Sequence, residues 1–150
     1  MIKVKTQNRS FGLKNKLSEL KALSQHLIAF GRHIGLSQIS ISKINICLDE
    51  LFTNTVLYGF KDDREHKIKF TLQADDNILI VGIEDDGVPF NPLEKKAIEF
   101  PADVMSAQIG GLGIHITRKL VDEMSYERKR GKNRLTIKKS IQANENRSQE

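Results

Sequence analysis

The sequence predicts an α+β fold, a two-layer α/β sandwich in which three helices cover one face of a mixed, mainly antiparallel sheet. Two observations lead to this fold class. Apolar residues recur at helical spacing in three segments, whereas five other segments alternate or run continuously as strands do. Their order along the chain, β-α-α-β-β-loop-α-β-β, lets most neighbouring strands pair as antiparallel hairpins.

The first part of the chain is predicted to form one strand and one helix. Residues 2–7 alternate apolar and polar side chains, as a short strand does, and residues 8–12 are typical of a turn. Over residues 13–34, apolar side chains recur at spacings of three and four, which predicts an amphipathic helix. Gly35 suits the C′ position that ends such a helix.

A second helix is predicted to follow directly. Ser37 or Ser40 can cap its N-terminus through a side-chain oxygen, and its apolar positions run from Ile41 to Val56. We expect it to end near Gly59, where glycine permits a left-handed backbone.

Two strands come next, and a long irregular segment follows them. Residues 67–72 alternate, whereas residues 78–83 are apolar on both faces, as in a central strand. Residues 75–77 form the turn between the two strands. Residues 85–111 contain all three prolines, and a loop of this length is commonly functional or mobile. We expect residues 93–109 to be its most mobile part.

The C-terminal part is predicted to add a helix over residues 112–121 and two strands, 123–130 and 133–140. The polar tail, residues 142–150, is expected to be disordered. The remainder, residues 1–141, is expected to form one domain, since the length of the chain suits one ordinary domain.

The composition is that of a globular protein and excludes several other classes. Hydrophobic residues make up 39% of the chain and charged residues 29%. No apolar run is long enough to cross a bilayer, and the N-terminus lacks the apolar core of a signal peptide. We therefore expect a cytoplasmic protein without membrane contact. The one cysteine, Cys47, excludes an internal disulfide and a multi-cysteine metal site.

The net charge of +5 does not by itself indicate nucleic-acid binding. Lysine and arginine are spread along the chain among acidic residues, and their densest cluster, residues 128–132, is expected to be a turn between strands. We therefore expect no direct contact with nucleic acid. An acidic protein partner or the phosphates of a nucleotide would account for the charge equally well.

The first group of candidate functional residues lies on the second helix. Glu50 and Asn54 are four residues apart and therefore share a helix face, inside an otherwise apolar stretch. A carboxylate there can act as a general base, and an amide oxygen can help to bind Mg²⁺. Taken alone, the pair also fits a solvated stripe of the helix.

The second group, Asp85 and Gly87, leaves the end of a buried strand. A carboxylate in this place can accept a hydrogen bond from the exocyclic amine of adenine, and glycine lets the backbone approach a flat ring. An ordinary acidic turn has the same composition.

The third group, Gly110, Gly111, Leu112 and Gly113, runs into a helix. Small residues at a helix N-terminus expose backbone N–H groups to an anion such as phosphate, although a flexible hinge is an equally good interpretation. The spacing matches neither a dinucleotide fingerprint nor a phosphate-binding Walker loop.

In this order, the three groups resemble the ATPase superfamily of DNA gyrase, heat-shock chaperones, histidine kinases and mismatch-repair proteins, over about residues 11–141. Within that superfamily the chain is most similar to the bacterial anti-sigma-factor serine/threonine kinases. The marks of this branch are the single-domain length, the Asp-x-Gly-x-Pro-Phe-Asn-Pro form of residues 85–92, and the stretch from Gly111 to Glu123. The resemblance implies a histidine-kinase-type ATPase fold.

The resemblance also implies roles for individual residues. Glu50 matches the family's catalytic base, Asn54 its Mg²⁺-binding asparagine, and Asp85 with Gly87 the pair that binds adenine. The segment Gly110, Gly111, Leu112 and Gly113 matches the part of the lid that contacts the phosphates. Many relatives carry a Gly-Thr pair near the adenine, where this chain has Lys132 and Asn133. Asn133 is therefore expected to form hydrogen bonds at the nucleotide.

The function implied by the resemblance is that of an ATP-binding anti-sigma factor and kinase. Its cofactors would be ATP and Mg²⁺, its substrate an anti-sigma-factor antagonist, and its second partner a sigma factor, bound by a homodimer. Two alternatives stay open. The chain could be a regulatory module that binds ATP and transfers nothing, or it could hydrolyse ATP with Glu50 activating water. Larger relatives hydrolyse ATP with an extra domain, for which this chain has no room.

Overall fold

Five strands form one sheet in the computed structural model, which describes residues 6–94 and 112–142. The sheet order is β1-β2-β3-β5-β4, and all four of its strand pairings are antiparallel. The strands are β1 (Gln7–Lys14), β2 (Lys67–Ala74), β3 (Ile78–Asp85), β4 (Glu123–Lys129) and β5 (Lys132–Ser140). The helices are α1 (Leu20–His33), α2 (Gln38–Tyr58) and α3 (Leu112–Leu120). The predicted α+β sandwich is confirmed.

One face of the sheet packs against the helices and the other is open. In β2 the alternation is strict, with Ile68, Phe70 and Leu72 fully buried and the residues between them exposed. Phe70 meets Phe52 of α2, with ring centroids 6.1 Å apart. The core therefore lies between one apolar sheet face and the apolar sides of the helices, as a two-layer sandwich requires.

The first strand does not lie where the sequence predicted it. The structure places β1 at residues 7–14, across the predicted turn and the start of the predicted first helix, and α1 begins only at Leu20. Leu13 is buried on the sheet, although its spacing to later leucines suggested a helix. The core-facing residue Arg9 hid the period-two pattern, because its guanidinium pairs with the His26 ring instead of packing as an apolar group does.

The end of α1 and the start of α2 follow the predicted chemistry. Gly35 has φ +80°, and the N–H groups of Gly35 and Leu36 donate to the carbonyls of Arg32 and Gly31. This is the Schellman arrangement, which satisfies the last carbonyls of the helix. Of the two candidate caps, Ser37 begins α2, because its side chain accepts from the Ser40 N–H.

The end of α2 is in the predicted place, but the reason given for its glycine is wrong. Gly59 is right-handed, with φ −83°. A Cβ at this position would lie 2.5 Å from the Thr55 carbonyl oxygen. The constraint on Gly59 is therefore close approach and not a left-handed backbone.

The other predicted strands and the third predicted helix are confirmed, and each of their ends lies within two residues of its predicted position. β3 is central, between β2 and β5, and its pairing with β5 puts Asp85 directly opposite Asn133. Arg130 and Gly131, both with positive φ, make the tight turn between β4 and β5. The predicted mobile segment lies outside the described residues apart from Leu93 and Glu94, and so does the predicted tail apart from Gln142.

Candidate functional site

A narrow cleft lies where the ends of β3 and β5 face the C-terminal half of α2. Three of the predicted site residues, Asn54, Asp85 and Asn133, meet there. The other lining residues are Leu51, Thr55, Ile83, Phe90, Pro92, Tyr126 and Leu135. The free volume is about 20 Å³, room for about one water molecule. An aromatic ring is larger than this volume, so a ligand of that size would require the cleft to widen.

Asp85 is the buried carboxylate of this cleft, with only 8% of its surface exposed. Its Oδ1 accepts hydrogen bonds from the Gly87 N–H and from Asn133 Nδ2, each at 2.9 Å. The described residues leave its Oδ2 without a hydrogen-bond partner. Burial raises the pKa of Asp85, and the hydrogen bonds from Asn133 and Gly87 oppose that shift.

Asn133 is 5% exposed and joins two strands to the loop that follows β3. Its Nδ2 donates to Asp85 Oδ1 and, at 2.8 Å, to the Val88 carbonyl. Its Oδ1 accepts from the Phe90 N–H at 3.3 Å and from the Tyr126 hydroxyl. Asn133 therefore forms hydrogen bonds, as predicted, but all four go to protein groups.

Gly87 sits against the end of α2. A Cβ at this position would lie 2.1 Å from the Gly59 carbonyl oxygen, a distance that no side chain can occupy. That same oxygen accepts a hydrogen bond of 2.8 Å from the Val88 N–H. Arg128 of β4 donates to the Gly87 carbonyl at 2.7 Å. The loop after β3 is thus fixed to both α2 and β4, and its glycine is required by contact.

The α2 side of the cleft is less complete. Asn54 is 3% exposed, and its Nδ2 is buried without a hydrogen-bond partner among the described residues. Five residues earlier on α2, and outside the lining of the cleft, Asp49 Oδ1 is also buried with no partner among the described residues. Burial, and then the neighbouring charge of Glu50, raise the pKa of Asp49. Unpaired buried polar atoms are rare in folded proteins and often mark a binding site.

Glu50 is half-buried on α2, one turn before Asn54. It does not line the cleft but lies beside Leu51, which does. The structure therefore brings Asn54, Asp85, Gly87 and Asn133 together and leaves Glu50 at the margin of this group. In the glycine-rich segment, Leu112 and Gly113 open α3, whereas Gly110 and Gly111 lie outside the described residues.

A second and larger cavity, of about 470 Å³, lies on the open sheet face beside Asp85 and Asp86. Its side chains are mostly charged, including Lys67, Lys69 and Glu84. We place the candidate site in the smaller cleft, because the buried polar side chains converge there and the larger cavity is a shallow depression between solvated groups.

A histidine that the sequence analysis did not single out connects the two sides of the site. His66 Nε2 lies 2.7 Å from Asp62 Oδ1 and Nδ1 lies 2.9 Å from Asp86 Oδ1, so that the protonated ring donates to both carboxylates. The ring also stacks on Phe60, with centroids 4.5 Å apart. Only 13% of its side chain is exposed. The hydrogen bond to Asp62 and then that to Asp86 raise the pKa of His66. The loop after α2 is thereby linked to the residue that follows Asp85.

The sequence analysis also missed Tyr126 and Arg128. Tyr126 follows the alternation of β4 toward the helices, which marks it as a core residue but not as a donor to Asn133. Arg128 looked like part of the basic turn. Only the strand pairing, which sets Arg128 opposite Asn133, could have found them.

Two absences apply to the described parts of the chain. No helix in residues 6–94 and 112–142 has the length and apolar character needed to cross a membrane. Nor do those residues contain a cluster of three or more histidine, cysteine, aspartate or glutamate side chains able to hold a metal ion by themselves.

Comparison with known proteins agrees with this geometry. Residues 13–139 match the family model described as histidine kinase-like ATPase domain. The chain is 28% identical over 94 residues to the serine/threonine-protein kinase BtrW of Bordetella bronchiseptica, covering 63% of this chain and 66% of that protein. It is 21% identical over 123 residues to the anti-sigma F factor of Bacillus subtilis, covering 77% and 84%.

A third relative extends the same pattern. The serine-protein kinase RsbW of Listeria innocua is 28% identical over 94 residues, covering 60% of each chain. The chain thus spans about two thirds or less of the length of two of these three relatives. Because the family model covers most of the chain and includes Asn54, Asp85 and Asn133, the chain belongs to the family of histidine kinase-like ATPase domains.

Proposed function

We propose that this chain binds ATP in the cleft between α2 and the ends of β3 and β5, with the adenine amine donating to Asp85 Oδ2. One observation carries the proposal: Asp85, a buried carboxylate that lines the cleft, has Oδ1 bonded by the protein, while the described residues give Oδ2 no hydrogen bond. Such an oxygen is a strong acceptor for an N–H donor. Adenine presents an amine there, whereas guanine would present a carbonyl oxygen, so the site favours adenine.

Asn54 is the residue of this chain that would hold Mg²⁺, through its amide oxygen. An amide oxygen is a ligand that Mg²⁺ accepts, whereas the unpartnered Nδ2 is a donor and would face a phosphate oxygen or a water molecule. Mg²⁺ keeps several waters and is commonly held by few protein groups together with substrate phosphates, so no larger ligand cluster is needed. Mg²⁺ would supply charge stabilisation at the phosphates. Gly110 to Gly113 are the residues proposed to contact those phosphates through backbone N–H groups.

We further propose that the chain is a serine/threonine kinase and anti-sigma factor. The names of its relatives, a serine/threonine-protein kinase, a serine-protein kinase and an anti-sigma F factor, support both roles. Glu50, half-buried at the margin of the cleft, would orient the hydroxyl of the acceptor residue and accept its proton. The acceptor would lie on an anti-sigma-factor antagonist, and a sigma factor would be the second partner, bound by a homodimer.

A non-catalytic ATP-binding module is the second candidate. The observation that favours it is that Glu50 does not line the cleft. A chain that only binds nucleotide would keep Asp85 and Asn54 and make no use of Glu50.

Calorimetric titration with Mg-ATP tests the binding step. Asp85→Asn should weaken binding by about 100-fold, because it removes an ionised acceptor. Asp76→Asn is the matched control, since it makes the same change of charge in the exposed turn between β2 and β3 and should bind as the wild type does. Equal affinity of wild type and Asp85→Asn would refute the adenine site.

Transfer of labelled phosphate from ATP to a candidate antagonist tests the second step. Glu50→Gln should abolish transfer and leave Mg-ATP affinity within about twofold. Transfer that survives in this variant would exclude Glu50 as the base. No transfer by the wild type, with binding intact, would support the non-catalytic module.

A further inference from the structure

We propose that Asn133 is a positioning residue that presents Asp85 to the adenine and does not itself contact the nucleotide, and that Tyr126 fixes the orientation of its amide. This inference rests on the proposed adenine site. It concerns how that site is held, and it assigns a role to Tyr126, which the sequence did not indicate.

The first step is a count of hydrogen bonds. A side-chain amide offers two donor positions and two acceptor positions. In Asn133 both Nδ2 hydrogens are used, by Asp85 Oδ1 and the Val88 carbonyl. Both Oδ1 positions are used as well, by the Phe90 N–H and the Tyr126 hydroxyl. Nothing on this amide is left for a ligand.

The second step is the orientation of the amide, which its partners determine. The Val88 carbonyl can only accept, so the Nδ2 group must face it. The Phe90 N–H can only donate, so Oδ1 must face that side. The Tyr126 hydroxyl adds a second donor on the Oδ1 side. A rotated amide would oppose two obligatory backbone groups at once, and Nδ2 is therefore held against Asp85.

The third step concerns Asp85. With Oδ1 held by Asn133 Nδ2 and the Gly87 N–H, the carboxylate is fixed in one rotation and Oδ2 becomes the acceptor for the ligand. The two hydrogen bonds also favour the ionised form, against the effect of burial, which raises the pKa of Asp85. The Asn133 amide thereby extends toward lower pH the range in which Asp85 can accept from adenine.

The charged surroundings of Asp85 act more weakly than these contacts. The neighbouring Asp86 raises its pKa, and the Arg128 guanidinium lowers it. From α2, the cleft-facing neighbours Asn54 and Thr55 carry no charge. Besides Asp85, Tyr126 of β4 is a titratable group that faces Asn133, and His66 is bonded to the neighbouring Asp86. The open cavity beside Asp85 adds Lys67, Lys69, Glu84 and Lys132.

The test is the pH dependence of Mg-ATP affinity, from about pH 5 to about pH 9, in the wild type and in three variants. Asn133→Leu keeps the branched shape and the number of heavy atoms and removes the amide. It should weaken binding about tenfold at neutral pH and move the midpoint of the pH profile up by about one unit. Tyr126→Phe should shift the midpoint in the same direction by less. Asn133→Thr, which restores one donor, should bring it back toward the wild type.

A profile that weakens equally at every pH, with its midpoint unmoved, would overturn the proposal, because that is the result for a residue that contacts the nucleotide directly. A second readout does not need ATP. The pKa of the Asp85 carboxyl, followed by carbon NMR in the free protein, should rise in Asn133→Leu and, by less, in Tyr126→Phe. An unchanged pKa in both variants would also overturn it.

These two readouts separate this inference from the proposed function. If the wild type binds no ATP but the Asp85 pKa rises as stated, the adenine site fails and the positioning role of Asn133 stands. If Asn133→Leu does not fold, Tyr126→Phe carries both measurements, since it removes only one hydroxyl.

Discussion

The two sides of the cleft differ in how completely their polar groups are hydrogen-bonded. We call the side formed by β3, β5 and the loop after β3 the strand wall, and the side formed by α2 the helix wall. On the strand side, Asn133 has every hydrogen-bonding position filled and holds Asp85, Val88 and Phe90 in place. On the helix side, Asn54 carries a buried Nδ2 with no partner among the described residues. The strand wall is complete without a ligand, whereas the helix wall keeps a buried donor that a water molecule or an acceptor on a ligand would satisfy.

The difference indicates which polar groups stabilise the protein without ligand and which destabilise it. A filled hydrogen-bond network stabilises the fold, and an unpaired buried polar atom costs about 1–3 kcal/mol. A preorganised acceptor reduces the entropy that binding must overcome. The strand wall therefore offers a fixed acceptor, and the helix wall offers an unsatisfied donor whose cost would be relieved by an acceptor on a ligand. Changes on the two walls should consequently affect stability with opposite signs.

The largest effect is expected from Gly87→Ala on the strand wall. The new Cβ would lie 2.1 Å from the Gly59 carbonyl oxygen and 2.9 Å from Asp85 Oδ1, so the loop must move away from α2. We expect a loss of about 3 kcal/mol in the free energy of unfolding, measured by urea denaturation, and loss of ATP binding.

Gly12→Ala is the matched control for that variant. Its Cβ would meet only the Lys67 side chain, at 3.7 Å, and it should not lower stability. If Gly87→Ala were as stable as Gly12→Ala, the strand wall would not be as rigid as the contacts indicate.

Asn54→Leu tests the helix wall and should stabilise the free protein by about 1 kcal/mol, because leucine has the same branched shape and removes a buried unpaired amide. The same variant should lose the stabilisation that Mg-ATP gives to the wild type, as measured by thermal unfolding with and without the ligand.

A matched substitution on the same helix, Asn45→Leu, should act in the opposite way. Asn45 accepts from Ser24 and donates to Asp49, so its loss breaks bonds that the free protein makes. A free Asn54→Leu protein less stable than the wild type would show that the helix wall is satisfied already.

Asp49→Asn should give a smaller and pH-dependent gain. Because burial and then Glu50 raise the pKa of Asp49, the folded protein holds this proton more tightly than the unfolded chain does. The wild type therefore loses stability as pH rises above the ordinary range of an aspartate through the raised pKa. The advantage of Asp49→Asn should appear over that window, at about 1 kcal/mol or less, and vanish in acid. A constant difference at all pH values would contradict this.

His66 links the loop after α2 to Asp86 and should give the smallest effect on stability. Its effect should vary with pH in the opposite sense to that of Asp49. Its raised pKa means that the stability it contributes is complete below its ordinary value and is lost as pH rises through the raised value. The stability difference between wild type and His66→Gln should therefore shrink from neutral to alkaline pH. In NMR titrations, Asp62→Asn should lower the His66 pKa more than Asp86→Asn does.

His26 is an internal reference for that titration. Burial, and then the Arg9 guanidinium, lower the pKa of His26. The two rings should thus titrate on opposite sides of the ordinary histidine value. If both moved in the same direction, the ion pairs around His66 would not form in solution.

Most of the architecture was predictable because periodicity reports burial directly. The alternation in β2 and the helical spacing in α2 each follow from which side chains avoid water. The first strand was missed for the same reason, since Arg9 faces the helices by pairing with His26 and so breaks the apolar pattern. The close approach of Gly87 to the Gly59 carbonyl oxygen is a tertiary contact, which no local pattern contains.

The candidate site was predictable only in part. Asn54, Asp85 and Gly87 fall on matching motif positions, and the structure brings them to one place. Asn133 was expected at the nucleotide, whereas in the structure its hydrogen-bonding positions are all occupied by protein groups. Tyr126 and Arg128 reach the site only because β4 pairs with β5, and this pairing is not visible at their positions in the sequence. The identity of a residue indicates that it can form hydrogen bonds, but only the fold determines with which partner.

The position of β4 on the outside of the described sheet has a consequence for solubility. An outer strand offers unpaired backbone groups to any second chain, and proteins commonly block such edges with charge. Four of the seven residues of β4 are charged and exposed: Glu123, Glu127, Arg128 and Lys129. Adding a foreign strand would bring these charges out of water. The same strand that holds the Gly87 loop through Arg128 therefore also protects the protein against edge-to-edge aggregation.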